Sequence, residues 1–446
     1  MDLDAAVGTI WRALGGMAGA PERVRWQGSG GALASELPVM TLAGATVAAC
    51  ALAAAELAAL RSAVVPVDLD AVATAFTSER LLRVDGRAFE GFAPLSRFWP
   101  AADGWVRTHG NYPHHRDRLQ AALLASSAEA LARRIASLPA ETVAERVTAA
   151  GGLAVPVRTP AEWAAHPQGV AVAALPLLTL RHAAGGSPRP VSPRFRVLDL
   201  TRVIAGPIAT RTLALFGADV LRVDSPQLAE IPAQHVDTGF GKRSTLLDLA
   251  RVADRRTFDG LVASADVVVT GYRPGALDRY GLAPAALRDR RPDLVVARLS
   301  AWGAAGPWAA RRGFDSLVQA ACGIAVLEGR PDGRPGALPA QALDHGTGYL
   351  LAAAVLRGLS SRALLGGGWS AELSLAQTAW WLVNGGLHAP AGDGEPDPER
   401  WCAEMDSELG RLRYALPPVT LPGRPRTWAA PPTAWGSDPP SWLPGS

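Results

Sequence analysis

Asp344 is the residue whose type and position most favour covalent chemistry. It precedes the sequence HGTG (345–348) and an apolar stretch, 349–356, that predicts a helix. An aspartate before a helix commonly acts as an N-cap that accepts backbone N–H bonds. The same helix end would keep a carboxylate ionised and nucleophilic, and the adjacent glycines would expose backbone N–H groups that hold a developing oxyanion. The residues alone leave both interpretations open.

A second group of polar residues lies in the sequence HGNYPHHRD, which contains His109, His114, His115 and Asp117. Three histidines and a carboxylate are possible metal ligands, but their spacing matches no common metal site. We therefore interpret the segment as a solvated helix start and predict no metal. The chain also contains no G-x-S-x-G elbow and no P-loop.

Composition and charge exclude several classes of protein. The 446 residues are 48% hydrophobic and 19% charged, which is typical of a globular protein of two or three domains. A net charge of +3 without a basic block argues against a nucleic-acid partner but suits a small anionic ligand. Cys50, Cys322 and Cys402 are scattered, so we expect reduced thiols and a cytoplasmic location.

One uncharged stretch, 37–55, is long enough to be mistaken for a membrane span. It is rich in Ala, Gly and Thr, and Glu56 and Arg61 follow it closely. We predict a buried helix and no membrane partner. The acidic amino-terminal sequence, MDLDAAVGTI, argues against a secretory signal.

The segment 195–390 alternates strand and helix signals. We predict strands at 197–200, 220–223, 267–270, 294–299 and 371–375. Pro207 marks a helix start and Gly217 the residue after its end. The pattern predicts an α/β fold with a doubly wound, mostly parallel, Rossmann-like sheet, which binds its ligand at the carboxyl ends of the strands.

The remaining segments predict a smaller domain and connecting chain. Residues 86–170 mix a strand at Trp105-Val106 with amphipathic helices, which indicates a small α+β domain. Residues 171–194 form a Pro-rich extended linker. The tail 391–446 is rich in Pro and Trp, and we expect it to wrap over the surface. We expect its tryptophans to pack on the body of the protein (Trp428, Trp435, Trp442).

An internal repeat relates the two halves of the chain. VDLDAVATAF (67–76) matches AELSLAQTAW (371–380), and ALPLLTL (174–180) matches ALPPVTL (415–421). Residues 1–85 therefore form a degenerate half that has lost most of a sheet domain. Aligning 42–60 with 343–361 sets Ala43 opposite Asp344, which predicts one active site per chain.

Six motifs carry a resemblance to a known family. In order, they are LTRVIAGP, FGADVLRVDSP, GKRSTLLDL, ADVVVTGYRPGALDRYGL, RRGFDSLVQAACG and QALDHGTGYLLAAAVLRGL. They resemble the class III coenzyme A (CoA) transferases of the formyl-CoA and carnitine CoA-transferase type, whose fold the α-methylacyl-CoA racemases share. The resemblance covers about 195–385 well and the small domain more loosely. The chain is then a rearranged fusion of two halves.

This resemblance implies an activity, a nucleophile and an assembly. CoA would move from an acyl-CoA donor to a carboxylic acid acceptor, a transfer of a sulfur-containing group, through an aspartyl anhydride and an aspartyl-CoA thioester. Asp344 matches the family's nucleophile. Acyl-CoA is a substrate, and no cofactor is bound permanently. The family forms interlocked homodimers, so the resemblance implies a homodimer or, given the rearrangement, a pseudo-dimeric monomer.

The resemblance also assigns coenzyme-binding residues. They are Arg202, Val203, Ile204, Ala205, Leu247, Gly271, Tyr272, Arg279 and Arg312. Arginine suits the diphosphate and 3′-phosphate of CoA because its planar fork donates several hydrogen bonds. This chain departs from the family pattern at Gly271, where Asn is frequent, and at Ser225, where a basic residue is frequent. We expect Arg222 or Arg243 to compensate.

Two alternatives stay open. The racemase branch uses a Gly-His-Asp triplet, which here is Gly313-Phe314-Asp315, and phenylalanine cannot act as a base. Racemisation would need another group such as His345, so the sequence favours transfer. We interpret Asp315 as a structural hydrogen-bonding residue, or one that orients the acceptor. A non-catalytic relative that binds CoA esters is the second alternative.

Overall fold

Helices and strands alternate along most of the chain, and the computed structural model describes residues 1–390 and 397–445. The strands are β1 Val24–Gln27, β2 Val65–Asp68, β3 Arg83–Val84, β4 Phe98–Ala101, β5 Gly104–Thr108, β6 Ala154–Pro156, β7 Thr179–Ala183, β8 Arg196–Leu200, β9 Asp219–Asp224, β10 Lys242–Leu246, β11 Val267–Thr270, β12 Val295–Ser300, β13 Gly368–Ser374, β14 Cys402–Ser407 and β15 Gly410–Ala415.

The α-helices fall between and around these strands. They are α1 Leu3–Ala13, α2 Val39–Leu57, α3 Leu69–Ala75, α4 Ser78–Leu81, α5 Pro113–Leu123, α6 Ala128–Ala136, α7 Ala140–Ala149, α8 Pro160–Ala165, α9 Pro167–Ala173, α10 Ala205–Leu215, α11 Pro232–Thr238, α12 Val252–Ser264, α13 Pro284–Arg290, α14 Asp315–Ala321, α15 Ile324–Leu327, α16 Ala342–Leu365 and α17 Leu375–Asn384.

A seven-stranded, mostly parallel sheet forms the centre of the protein. Its order is β10-β9-β8-β11-β12-β13-β7, and only β7 runs antiparallel to its neighbour. The five predicted strands correspond to β8, β9, β11, β12 and β13, which confirms the mixed α/β class with a mostly parallel sheet. Strand β10 was missed because its sequence, KRSTL, is not an apolar run. Strand β7 lies in the segment that was predicted to be a linker.

Alternating side chains of the central strands enter two separate apolar clusters. Val197 and Val267 contribute to the larger cluster, which also contains apolar residues of α2, α10 and α16. Their neighbours Leu198 and Val268 contribute to the second cluster, with apolar residues of α12. Strands that are buried on both faces have continuous apolar sequences such as VVVT in β11. This burial explains why these strands were predictable.

Helix α16 packs against α2 and α10 on the face of the sheet that carries the larger cluster. Helix α2 is long and apolar enough to cross a membrane by length and composition alone, but its whole apolar window is buried inside the protein. The prediction of a buried helix at 37–55 is therefore confirmed. The packing of α16 fixes where its first turn meets the edge of the sheet.

Smaller sheets flank the large one. Strands β4, β5 and β6 form an antiparallel sheet whose apolar cluster includes Leu119, Leu131 and Val143 of α5, α6 and α7. Strands β14 and β15 of the tail form a further sheet with β3, which the sequence analysis did not predict. Residues 391–396 and 446 of the predicted tail lie outside the described residues. Trp428 is buried and donates a hydrogen bond to the Arg211 carbonyl.

Candidate active site

Asp344 is the third residue of α16, and its side chain lines a cavity of about 630 Å³. The helix N-cap is Gln341, so Asp344 does not cap its own helix. The residue is 7% exposed, which is low for an aspartate. Because this carboxylate does not cap the start of the helix, it is available to a ligand.

Asp315 performs the capping role instead. Its Oδ2 accepts a hydrogen bond from the Asp344 backbone N–H at 2.9 Å, and its Oδ1 accepts one from the Gln319 side chain. Gln319 Oε1 in turn accepts a hydrogen bond from the Leu338 N–H at 2.9 Å. This chain of contacts fixes the first turn of α16 against α14, which supports the structural interpretation of Asp315.

The surroundings of Asp344 and Asp315 disfavour the charged form of both carboxyl groups. Burial, followed by repulsion from Asp315 and Glu79, raises the pKa of Asp344 well above its usual range. Burial also raises the pKa of Asp315 to about 6. We expected the helix end to keep Asp344 ionised, but desolvation and neighbouring carboxylates act in the opposite direction. These surroundings therefore favour the protonated form of the Asp344 carboxyl.

His345 lies beside Asp344 in sequence but points away from the cavity. It is fully buried, its ring stacks on Phe76 with centroids 5.1 Å apart, and its Nε2 lies 3.4 Å from Glu79 Oε2. It does not line the cavity. His345 is therefore in the wrong place to remove a proton from a ligand.

The glycines after Asp344 pack helices together. A Cβ atom on Gly348 would lie 2.6 Å from the Ala205 carbonyl oxygen, and one on Gly346 would lie 3.5 Å from Leu42. Both glycines are buried within α16. The expectation that they expose the backbone to a thioester is therefore wrong, because α10 and α2 occupy that space.

The cavity opens along the carboxyl ends of β8, β9, β10, β11 and β12. Most residues that the resemblance assigned to the coenzyme line it: Arg202, Val203, Ala205, Leu247, Gly271, Tyr272, Arg279 and Arg312. Burial raises the pKa of Tyr272 to about 12. Ile204 is the exception, since it is 5% exposed, packs in the larger apolar cluster and does not line the cavity.

Arg202 is already bound by protein groups. Its guanidinium donates to the carbonyls of Leu228 and Ala229 at 2.8 and 2.7 Å and lies 3.5 Å from Glu230. Glu230 also accepts the Val203 N–H at 3.2 Å, which holds Val203 at a φ of +72°. Although burial opposes it, Arg222 and Arg202 lower the pKa of Glu230 to about 2. This network shapes the strand-turn and leaves Arg202 little capacity for phosphate.

The expected compensation by Arg222 or Arg243 is wrong. Arg222 is 1% exposed and pairs with Asp224 and Glu230 at 2.7 Å each. Arg243 pairs with Asp219 at 2.8 Å and donates to the Ser441 carbonyl at 2.6 Å. Buried charges of this kind are paired because desolvation is otherwise too costly, so neither arginine is free for a ligand.

Other arginines in the cavity wall have no salt bridge within the described residues. They are Arg273, Arg279, Arg311 and Arg312, and all four line the cavity. Arg311 and Arg312 also line a neighbouring cavity of about 280 Å³. Unpaired guanidinium groups around one cavity suit an anionic ligand with several phosphate or carboxylate oxygens.

The small domain supplies a wall that the sequence analysis missed. Tyr112, His114 and His115 line the same cavity as Asp344, together with Phe314. The HGNYPHHRD segment was interpreted as a solvated helix start, but His115 is only 4% exposed. Within the described residues, no His, Cys, Asp and Glu cluster could hold a metal ion. The density of ring-bearing residues in this segment was the available signal.

Comparison with known proteins shows that the sheet region is similar to a known family. The model of CoA-transferase family III matches residues 194–406. The match includes Asp344, the cavity-lining ends of β8 to β12 and the unpaired arginines.

Three relatives illustrate this similarity to CoA-transferase family III. An acetyl-coenzyme A transferase of Hypoxylon pulicicidum is 36% identical over 206 residues, 45% of this chain and 35% of the relative. A probable fatty acyl-CoA transferase of Mycobacterium tuberculosis is 34% identical over 226 residues, 46% and 56% of the two chains. A formyl-CoA:oxalate CoA-transferase of Rhodopseudomonas palustris is 34% identical over 187 residues, which are 39% of this chain and 43% of the relative. The chain thus spans between about a third and just over half of these relatives.

Proposed function

We propose that this protein transfers coenzyme A from an acyl-CoA donor to a carboxylic acid acceptor, with Asp344 as the nucleophile. The observation that carries the proposal is one cavity that joins the Asp344 side chain to unpaired arginines, in a region similar to CoA-transferase family III. The arginines suit the phosphates of the coenzyme. The buried carboxyl suits a reaction from which water must be excluded.

The proposed reaction proceeds through two kinds of covalent intermediate on Asp344. Its carboxylate attacks the thioester carbonyl of the donor, which forms a mixed anhydride and releases the CoA thiolate. The thiolate attacks the aspartyl carbonyl, which forms an aspartyl-CoA thioester and releases the donor acid. The acceptor carboxylate then attacks this thioester, which forms a second mixed anhydride and releases the CoA thiolate. The thiolate attacks the acceptor carbonyl of this anhydride and displaces the Asp344 carboxylate. These last steps yield the new acyl-CoA and regenerate the Asp344 carboxylate.

Asp315 is a positioning residue in this proposal. By accepting the Asp344 N–H, it fixes the backbone from which the nucleophile projects. Its negative charge also raises the energy of the Asp344 carboxylate. A carboxylate that is destabilised in the free enzyme gains from becoming an uncharged ester or anhydride, so the pair favours the covalent intermediates.

Racemisation is the alternative that the same region raises. It requires a base in the cavity, but His345 is buried beside Glu79, and Phe314 has no basic group. His115 does line the cavity, but burial and neighbouring positive groups lower its pKa to about 3. A group with that pKa is a weak base at neutral pH. Transfer is therefore favoured over proton abstraction.

The wider assignment extends this proposal to the whole chain. We propose a cytoplasmic, rearranged fusion of two halves, with a doubly wound sheet, one active site and no permanently bound cofactor. The order β10-β9-β8-β11-β12-β13 and the two apolar clusters support the doubly wound description. The packing of α2 against α16 supports a relation between the halves. The reaction is then a transfer of a sulfur-containing group.

The test traps the enzyme-bound thioester with hydroxylamine. The protein is incubated with a panel of acyl-CoAs and hydroxylamine, and its peptides are analysed by mass spectrometry. We expect a hydroxamate on the Asp344 peptide, absent in Asp344→Asn and retained in the surface control Asp332→Asn. Failure to label with any donor, alongside α-proton exchange in heavy water without an acceptor, would replace transfer by racemisation. Binding of CoA esters without either reaction would indicate a non-catalytic relative.

A further inference from the structure

His115 is an unusual histidine because both of its ring nitrogens are buried and neither has a hydrogen-bond partner among the described residues. The residue is 4% exposed and lines the cavity that Asp344 also lines. Buried polar atoms in folded proteins are nearly always hydrogen-bonded, so an orphaned pair at a cavity wall points to a ligand or ordered water.

The neighbouring rings cannot satisfy both nitrogens. His115 contacts Tyr112 and Phe314 edge to face, with centroids 5.9 and 6.0 Å apart, and His114 at 4.1 Å. The face of Phe314 has no donor for a lone pair, and neither His114 nor Tyr112 hydrogen-bonds a His115 ring nitrogen. A neutral imidazole has one donor and one acceptor nitrogen. At least the acceptor nitrogen of His115 therefore lacks a partner in these rings.

The surroundings of His115 are positively charged and close to the nucleophile. Burial lowers the pKa of His114 and of His115, and the positive charges of Arg312 and Arg118 lower both values further. Phe314, which packs against His115, directly precedes Asp315, the residue that holds the Asp344 backbone. A ligand that touches His115 therefore lies on the side of the cavity where Asp315 positions the nucleophile.

We propose that His115 is a specificity-determining residue that hydrogen-bonds a second oxygen function, a hydroxyl or a carboxylate, on the transferred carboxylic acid. This inference rests on the proposed function of the site. The acid presents one carboxylate to Asp344 and its polar far end to the His115 nitrogens. The positive charge of Arg312, which also lines the cavity, compensates the added negative charge of a dicarboxylate. An acid with an aliphatic end leaves both nitrogens unsatisfied, which costs binding energy.

The experiment compares acceptors of equal carbon number. Succinate and 4-hydroxybutyrate carry the second oxygen function as a carboxylate and a hydroxyl, and butyrate lacks it. We expect the wild-type kcat/KM to be at least about tenfold higher for one or both polar acids than for butyrate. His115→Leu should remove this preference. The matched control is His182→Leu, on the exposed edge strand β7 and outside the cavity, which should keep it.

Equilibrium binding separates failure of this inference from failure of the proposed function. Each acid is titrated by calorimetry into Asp344→Asn saturated with CoA, with and without His115→Leu. A polar acid that binds more tightly only when His115 is present supports the subsite, even if no hydroxamate ever forms at Asp344. Equal binding of all three acids, or an equal loss of all three in His115→Leu, overturns it. Either result would mean that water alone occupies the His115 nitrogens.

Discussion

Asp344 and Asp315 are two carboxyl groups in one buried cluster, and they have different roles. Both side-chain oxygens of Asp315 accept hydrogen bonds, one from the Asp344 backbone N–H and one from Gln319. The side chain of Asp344 faces the cavity instead. Asp344, the proposed nucleophile, therefore has fewer hydrogen-bond partners than Asp315. Active sites commonly retain such unfavourable groups because function requires them, at a cost in stability.

Asp344→Asn should stabilise the protein at alkaline pH. The folded-state pKa of Asp344 lies above its unfolded value, so its contribution to stability is present below about pH 4 and is lost as pH rises through the folded pKa. Asparagine carries no charge and avoids this loss. We expect the variant to be more stable than wild type at pH 8, with the difference shrinking toward pH 5.

Chemical denaturation at both pH values measures this difference. The exposed residue Asp332 provides a control, because Asp332→Asn should leave the pH dependence unchanged. If wild type and Asp344→Asn were equally stable at pH 8, ionisation of Asp344 would cost no folding free energy, contrary to the expectation from its burial. Activity should rise with pH over the same range, since only the carboxylate is nucleophilic.

Helix α16 carries Asp344, the proposed nucleophile, and its packing against α10 and α2 restricts its movement. Gly348 allows it to approach the start of α10, while Gly346 faces Leu42 of α2 across an ordinary van der Waals distance. The loop before α10 contains Arg202 and Val203, which line the cavity. The α10–α16 contact thus links Asp344 to the strand-turn that lines the cavity.

Gly348→Ala and Gly346→Ala form a matched pair at this contact. Alanine at 348 must displace the backbone of Ala205, so we expect a loss of about 1–3 kcal/mol of stability and reduced turnover. Alanine at 346 fits beside Leu42 and improves helix propensity, so stability should be unchanged or higher by up to about 1 kcal/mol. Thermal unfolding and kcat/KM of both variants provide the measurements. Equal effects of the two substitutions on thermal unfolding and kcat/KM would indicate that α10 shifts easily to make room for the added methyl group.

The whole chain brings the small domain over the sheet edge without help from another chain. Tyr112 donates a hydrogen bond to Glu230 at 2.5 Å, and Arg202 lies over the Tyr112 ring at 5.0 Å. These contacts join α5 of the small domain to the loop after β9. The cavity therefore has its histidine wall, its arginines and Asp344 within one chain.

Two variants that are impaired in different parts of the cavity should accordingly fail to complement each other. One chain carries Asp344→Ala, and the other carries Tyr112→Ala with His115→Ala, which removes the small-domain wall. If each small domain covers its own sheet, co-expressed chains should show no more activity than the sum of the separate proteins. Activity clearly above that sum would show that small domains are exchanged between chains. Separately tagged chains, purified together and assayed for CoA transfer, provide the measurement.

Predictability from the sequence followed the burial of each element. The doubly buried strands β8 and β11 are apolar runs between helix signals, so their pattern identified them. Strand β10 and the tail strands β14 and β15 contain many polar residues, and β10 and β14 lie at the edges of their sheets. No local pattern distinguishes such strands from coil.

The sequence by itself determined the mixed α/β class, the central strands, the buried helix α2 and the resemblance that identified Asp344. These features depend on local pattern and on motifs that remain contiguous in the chain. Only the tertiary structure decided which charges are free, because Arg202, Arg222 and Arg312 look alike in sequence. It also brought His115 to the same cavity as Asp344, 229 residues later in the chain. Pairing and cavity walls arise from long-range packing, which a linear pattern does not record.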